Sequence, residues 1–318
     1  MSAIGGSGPR AAVDVGSNSV RLLVVDSDGS RIIREMVVTR LATGVDRTGH
    51  LDDAALGLTV ETIAGFRDVW RSHGVRDRVR IAATSAVRDA EDRERFFGAV
   101  EEATGVRAEV LTGEQEAALA FAGATSAVDV ATPVAVVDIG GGSTEVIVGT
   151  TEGTVAGSVS LQLGCVRLTE RAFAHDPPTT SEVALAREII EDQLLRADRA
   201  LEEQGGAGAP LRVRDAASVV TVAGTATTVA ALHLELDAYL EDRIHGARIP
   251  GPALAKISTR LIGMSAPERA TLGPMQPGRE GVIHAGALIL ATIAEHYDLG
   301  EVVVSESDSL DGLVASLA

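Results

Sequence analysis

Residues 11–25 read AAVDVGSNSVRLLVV, and residues 135–149 read AVVDIGGGSTEVIVG. The two stretches align without a gap at an offset of 124 residues, so that Asp14 corresponds to Asp138. In each, two apolar runs flank a turn of small residues, a pattern typical of a β-hairpin. A repeat of this length indicates that the chain is built from two related units.

The rest of the chain alternates strand-like and helix-like segments, which favours an α/β fold of two domains. We place the N-terminal domain at residues 1–127, with the final helix (about residues 308–318) as a candidate addition to it. The C-terminal domain then covers residues 128–318. Within the first domain, Thr84 and Ser85 predict the start of one helix that runs to about Thr104.

Composition restricts the classes of partner. The 318 residues carry 28 basic and 45 acidic side chains, and Lys256 is the single lysine. A net charge of −17 argues against a nucleic-acid or anionic-membrane binder, because such proteins carry basic surfaces. No apolar run is long enough to span a membrane, and Met1–Pro9 lacks the pattern of a signal peptide. With Cys165 as the single cysteine, these features predict a cytoplasmic protein.

The two hairpin turns are candidate phosphate-binding loops. Glycines let the backbone approach a ligand closely, and successive N–H groups in such a turn can bind an anion. An aspartate at the end of the preceding strand, here Asp14 or Asp138, suits Mg²⁺, which commonly accompanies phosphates. A third small-residue turn, with Gly224 and Thr225, lies between a strand and a helix, where the free N–H groups favour anions.

Two charged residues open predicted helices. Glu116 lies in the first turn after Thr112, where a carboxylate is ordinarily just favourable to the helix dipole. A carboxylate held in a cleft can instead take a proton from an attacking water. Arg88 follows the Thr84–Ser85 turn and is either a surface arginine or a phosphate ligand with a planar, two-pronged donor group.

Taken together, these motifs resemble the exopolyphosphatase/guanosine-pentaphosphate phosphohydrolase (Ppx/GppA) family of the actin-like ATPase superfamily. The resemblance extends from Ala12 to about Leu313 and is to the short form, without an appended C-terminal domain. It implies two RNase H-like domains with an interdomain cleft, Mg²⁺ or another divalent cation as cofactor, and a homodimer. It also implies hydrolysis of a terminal phosphoanhydride bond of inorganic polyphosphate. The acidic charge balance and the few cations near the motifs predict a preference for short chains.

The resemblance also implies roles for individual residues. Glu116 matches the catalytic base, and Glu145 matches a second acidic residue for water or metal binding, beside Asp14 and Asp138 as metal ligands. The implied phosphate ligands are Asn18, Ser19, Arg21, Thr84, Ser85, Arg88, Gly140, Gly141, Gly142, Ser143 and Arg167. Cys165 is expected to be a small buried residue and not a nucleophile. The chain departs from the family pattern at Asp92, at Arg279-Glu280-Gly281 and at Leu310-Asp311-Gly312, which leaves the details of the substrate open.

Three alternatives remain at this stage. The first is hydrolysis of the 5′-terminal phosphate of guanosine pentaphosphate, which needs the same fold. The second is a sugar or acetate-type kinase of the same superfamily. The third is a protein that binds polyphosphate without cutting it, which the presence of both Glu116 and Glu145 disfavours.

Overall fold

The computed structural model describes residues 8–126, 128–150, 154–205 and 212–318. The chain divides into two compact units, Met1–Leu119 with Ser309–Ala318, and Ala120–Asp308. The boundary expected at residue 127 is later in the chain than this division, and residue 127 itself lies outside the described residues. So does most of the N-terminal segment in which no signal peptide was predicted. Within the described ranges, no helix combines the length and apolar character that a bilayer span requires.

Strands and helices alternate through both units. The strands are β1 (Arg10–Val15), β2 (Ser19–Val25), β3 (Arg31–Val38), β4 (Val79–Ala83), β5 (Glu109–Val110), β6 (Val134–Ile139), β7 (Thr144–Gly149), β8 (Val155–Leu161), β9 (Ser218–Val222), β10 (Arg248–Pro250) and β11 (Glu301–Val304). The helices are α1 (Val45–Thr48), α2 (Asp53–Ser72), α3 (Ser85–Asp89), α4 (Arg93–Thr104), α5 (Gly113–Ser126), α6 (Cys165–Ala172), α7 (Thr180–Gly205), α8 (Ala223–His233), α9 (Glu241–Ile244), α10 (Gly251–Ile262), α11 (Ala266–Ala270), α12 (Ile283–His296) and α13 (Ser309–Ala315). A 3₁₀ helix covers Val213–Asp215.

The first unit is a sheet in the order β3-β2-β1-β4-β5, covered on both faces. Strands β1 to β3 are antiparallel, and β4 and β5 continue the sheet in parallel with β1. Alternate residues of β1, such as Val13, pack with α2 and α4, including Trp70 and Phe96. The opposite face carries Ala12, which packs with Leu313 of α13. Because side chains alternate along a strand, Asp14 lies on this second face.

The second unit repeats the same arrangement with one added edge strand, β10. Its sheet has the order β10-β11-β9-β6-β7-β8, in which β6 to β8 are antiparallel and β9 and β11 run parallel to β6. Val137 of β6 and Val146 of β7 belong to the main apolar core, together with α7 and α12. Asp138 and Glu145, one residue away in each strand, lie on the other face.

The helix predicted from Thr84 to Thr104 is wrong, because the chain forms two helices there. Helix α3 ends at Asp89, and Ala90 has extended backbone angles. The next residues bond to an earlier loop instead of to each other: the Glu91 N–H donates to the Gly49 carbonyl, and Asp92 Oδ1 accepts from the Leu51 N–H at 3.0 Å. These tertiary hydrogen bonds override the local helical pattern.

Candidate active site

Glu116 lies in the first turn of α5 with its side chain buried in the first unit. Its Oε2 accepts a hydrogen bond from Arg88 Nη1 at 3.0 Å, and the same nitrogen also donates to the Leu111 carbonyl. Burial raises the pKa of Glu116 to about 7, and the positive charge of Arg88 lessens that rise. A carboxyl group that titrates near neutrality can exchange protons in both directions at physiological pH.

Asp14 and Arg21 form a second pair in the same unit. They are direct partners across the β1–β2 hairpin, and Arg21 Nη2 donates to Asp14 Oδ2. Ser309 Oγ, at the start of α13, lies 3.5 Å from the same carboxylate oxygen. The Asp14 carboxylate is therefore paired with a guanidinium, and its role as a metal ligand stays a prediction. Both charges also act on Glu116, the aspartate raising its pKa and the arginine lowering it.

The first loop, Gly16–Ser19, is held by backbone hydrogen bonds. The Asn18 carbonyl accepts from the N–H groups of both Thr39 and Arg40, at 3.0 and 2.9 Å. Asn18 Oδ1 and the Thr39 hydroxyl are buried and have no hydrogen-bond partner among the described residues. Unpartnered buried polar atoms are costly unless water or a ligand completes them, so these two atoms can accept a further hydrogen bond.

Thr84 and Ser85 join β4 to α3 next to that loop. The Thr84 N–H donates to the Val15 carbonyl at 3.2 Å, and the Ser85 hydroxyl lies 2.9 Å from the hydroxyl of Ser17. Both serines are fully buried. Ser85 therefore links two loops, and with Ser17 as the donor its own hydroxyl can still donate to a phosphate oxygen.

In the second unit, N–H groups at the start of α6 donate hydrogen bonds to carbonyl groups of the loop Gly140–Ser143. The Gly140 carbonyl accepts from the Cys165 N–H, and the Gly141 carbonyl accepts from two further N–H groups at the start of α6. Arg167 Nε donates to the Gly142 carbonyl at 2.7 Å. In a planar trans peptide, the C=O and the next N–H point in opposite directions. The N–H groups of residues 141–143 therefore point away from α6, as in an anion-binding concavity.

Gly164 makes this contact possible, a role that the sequence did not indicate. A Cβ at this position would overlap the Gly141 carbonyl and the neighbouring peptide nitrogen of Gly142. The next residue, Cys165, is buried, and burial raises its pKa to about 11. Its thiol stays protonated at neutral pH, in agreement with the prediction that it is not a nucleophile.

Asp138 and Glu145 are direct partners across the β6–β7 hairpin. Both carboxylates are buried, and Glu145 Oε1 accepts a hydrogen bond from the Ser160 hydroxyl at 2.8 Å. Like charges directly opposite on a sheet are destabilising unless a proton or a cation lies between them. Two carboxylates are also what Mg²⁺ commonly takes from a protein, with water and phosphate as its other ligands. No cluster of three or more acidic, histidine or cysteine side chains suited to a metal occurs in the described part of the chain.

The third loop opens helix α8 at Ala223 and Gly224. Arg279 lies over it: its Nη1 donates to the Gly224 carbonyl at 2.7 Å and to Thr228 Oγ1 at 3.0 Å. A Cβ on Gly224 would stand 2.5 Å from the Arg279 guanidinium carbon, so the glycine provides the space for this arginine. Thr225 is buried against Gly286 of α12.

Arg279, which contacts the third loop, is the residue near a candidate binding loop that sequence reasoning missed. It appeared there as a departure from the family pattern, without a role. It also acts electrostatically on Cys165, which places a positive charge near the start of α6 as well as at the start of α8. Its separation of 55 residues from Gly224 left no local pattern by which the sequence could pair the two.

Comparisons with known proteins agree on one family. Residues 23–318 match the Ppx/GppA phosphatase family. The chain is 40% identical to exopolyphosphatase 2 of Mycobacterium tuberculosis, covering 97% of this chain and 98% of the relative. A crystal structure of an exopolyphosphatase-like protein superposes with a TM-score of 0.89 at 33% identity, covering 96% of this chain and 98% of that one. The Aquifex aeolicus Ppx/GppA family member superposes with a TM-score of 0.77 at 30% identity, covering 97% of each chain. The predicted α/β fold of two RNase H-like domains is confirmed.

Proposed function

Because the chain belongs to the Ppx/GppA phosphatase family, we propose that it is an exopolyphosphatase. In the reaction, water attacks the terminal phosphorus of inorganic polyphosphate, the bridging P–O bond breaks, and inorganic phosphate leaves. The shortened chain keeps the bridging oxygen and its negative charge. The near full-length similarity to a protein named exopolyphosphatase 2 supports this choice of substrate.

The observation that carries the proposal is that Glu116 is buried, has a raised pKa and is held by Arg88. Water attacking a phosphoanhydride must be oriented and must lose a proton, and a buried carboxylate with a pKa of about 7 can accept one. Arg88 Nη1 holds Oε2 of this carboxylate at 3.0 Å, so the group is positioned before substrate arrives. Catalysis of phosphoryl transfer rests mostly on such positioning and on charge stabilisation.

The glycine-rich loops bind the phosphates in this proposal. In the first unit, the loop that ends at Ser19 offers the side-chain N–H groups of Asn18 and the Ser19 hydroxyl as donors. In the second unit, the N–H groups of residues 141–143 and the start of α8 near Arg279 donate to anionic oxygens. Binding through fixed local donors is compatible with the overall charge of −17.

Asp138 and Glu145 are the residues proposed to hold the divalent cation. Their buried carboxylates face each other across one hairpin, which suits Mg²⁺, whereas Asp14 is engaged by Arg21. When bound, the cation neutralises charge on the phosphate oxygens. The carboxylates would hold it on the face of the second sheet that lies opposite the main apolar core.

Phosphate release tests the proposed activity. Short polyphosphate, long polyphosphate, guanosine pentaphosphate and ATP are compared in parallel, with Mg²⁺ and with EDTA. We expect Mg²⁺-dependent release from polyphosphate at the highest kcat/KM. A higher kcat/KM for guanosine pentaphosphate would show that this nucleotide, and not polyphosphate, is the substrate. Transfer of phosphate from ATP to an acceptor would show that the protein is a kinase and not a hydrolase. Homodimerisation stays a prediction, which light scattering after size-exclusion chromatography checks.

A further inference from the structure

A row of three polar side chains crosses the second sheet from β6 to β8. Asp138 is opposite Glu145, and Glu145 is opposite Ser160. Residues directly opposite in antiparallel strands project from the same face, so the three side chains are neighbours. The Ser160 hydroxyl uses this position to donate a hydrogen bond to Glu145 Oε1 at 2.8 Å.

The first unit has the same row with different side chains. Its members, Asp14, Arg21 and Met36, stand 124 residues before those of the second unit. Arg21 pairs with Asp14, and Met36 has no hydroxyl with which to orient a carboxylate. The serine donor therefore occurs in the half of the repeat where two carboxylates face each other.

We propose that Ser160 is a positioning residue, one that orients Glu145 for binding a divalent cation together with Asp138. The proposal rests on the proposed function, which assigns the cation to these two carboxylates. The last torsion of a glutamate side chain has a broad, shallow preference, so a free carboxylate rotates. A hydroxyl bonded to Oε1 fixes that rotation and therefore the direction of Oε2.

Ser158 shows why this role belongs to Ser160 and not to serines of β8 in general. It lies two residues earlier on the same face of β8, but it stands opposite Ile147. Its backbone N–H and carbonyl bond to the side chain of Gln204. Removing the Ser158 hydroxyl changes the same strand by the same atom without touching a carboxylate.

The experiment measures Mn²⁺ binding to the intact protein by electron paramagnetic resonance of the free ion, with no polyphosphate present. Native protein is compared with Ser160→Ala, Ser160→Thr, the control Ser158→Ala, and Asp138→Asn as a reference for loss of a ligand. We expect Ser160→Ala to weaken Mn²⁺ binding about 10-fold to 100-fold, the usual cost of losing a group that orients a metal ligand. Ser160→Thr keeps the hydroxyl and should restore most of the affinity, and Ser158→Ala should match the native protein.

Equal Mn²⁺ affinity in Ser160→Ala and Ser158→Ala would overturn the role of Ser160 and leave the proposed function intact. Native affinity in Asp138→Asn, or no Mn²⁺ binding by the native protein, would overturn the metal assignment and Ser160 with it. Thermal unfolding of each variant reports the fold independently. If Ser160→Ala lowers the melting temperature more than Ser158→Ala does, Ser160→Cys, with a similar shape and a weaker donor, replaces it under the same criteria.

Discussion

Arg21 and Glu145 occupy equivalent positions of the internal repeat, and each lies directly opposite the aspartate of its own hairpin. The hairpin with Arg21 is neutral because the guanidinium pairs with Asp14. The hairpin with Glu145 places two buried carboxylates opposite each other, which we propose as the site of the divalent cation. In the proposed function, this difference between Arg21 and Glu145 gives the two units different roles: the first binds the anionic substrate and takes up the proton, and the second binds the cation.

Replacing Glu116 tests its proposed role as the general base of the first unit. Glu116→Gln keeps the shape of the side chain and an acceptor for Arg88, but it removes the group that takes the proton. We expect kcat to fall by about 10²-fold to 10⁴-fold with little change in KM, as is usual for loss of a general base. Glu114→Gln, on the exposed side of the same helical turn, is the matched control. Retention of half the native kcat would exclude Glu116 as the base.

The same group should control the pH dependence of the rate. Only the ionised form of Glu116 accepts a proton, and burial raises its pKa to about 7. We therefore expect kcat/KM to rise with pH and to level off above about 7. A profile flat from pH 5 to pH 8, measured at constant free Mg²⁺, would contradict this assignment.

Stability should show the opposite trend at this position. The folded protein holds the Glu116 proton more tightly than the unfolded chain, whose pKa is near 4.5. The resulting stabilisation is fully present below pH 4.5 and is lost as the pH rises through about 7. Glu116→Gln should therefore gain stability relative to the native protein between pH 5 and pH 8, by at most about 3 kcal/mol at 1.36 kcal/mol per pKa unit. Denaturant unfolding of both proteins at pH 5 and pH 8 measures the difference between their free energies of unfolding. If the advantage of Glu116→Gln became smaller as the pH rises, the raised pKa of Glu116 would be refuted.

The hairpins were predictable because their pattern is local and occurs twice. The apolar runs around Asp14 and Asp138 indicate the strands, and the small residues between them indicate the turns. The break after Asp89 was not predictable, because Asp92 bonds to a loop about 40 residues away in sequence. For the same reason, no local pattern shows that Arg279 donates a hydrogen bond to the Gly224 carbonyl, or that Arg21 forms an ion pair with Asp14.

The contact between Gly164 and the second phosphate loop gives a prediction that depends on the structure alone. Gly164 has extended backbone angles that alanine adopts freely, so Gly164→Ala causes no backbone strain. Its methyl group would overlap the Gly141 carbonyl and displace the loop. We expect kcat/KM to fall on the order of 10²-fold, as for a shift of about 1 Å in a positioning group. Gly98→Ala, in α4 with open space around it, is the control, and equal activity of the two variants would refute the contact.

Charge leads to a last prediction, on the length of the preferred substrate. Long polyphosphate carries about one charge per unit, and each unit bound adds a cation contact and a further dependence on salt. The chain has 28 basic against 45 acidic residues, and its single lysine, Lys256, is far in sequence from the loops. Near the loops, Arg21 and Arg88 already bond to carboxylates, and Arg167 and Arg279 bond to loop carbonyls. These four arginines can therefore bind only a few phosphate groups.

We therefore expect affinity to stop rising after the first several phosphate units. The measurement is kcat/KM for chains of about 3, 15 and several hundred units, compared per chain end at fixed ionic strength. The slope of log KM against log salt should be shallow and the same for the two longer chains, because it reports the number of phosphates neutralised. If the longest chain is cut best and processively, with a steeper slope, the protein or its dimer must present an extended basic track. In that case the charge balance of the whole chain would be a poor guide to the surface that binds substrate.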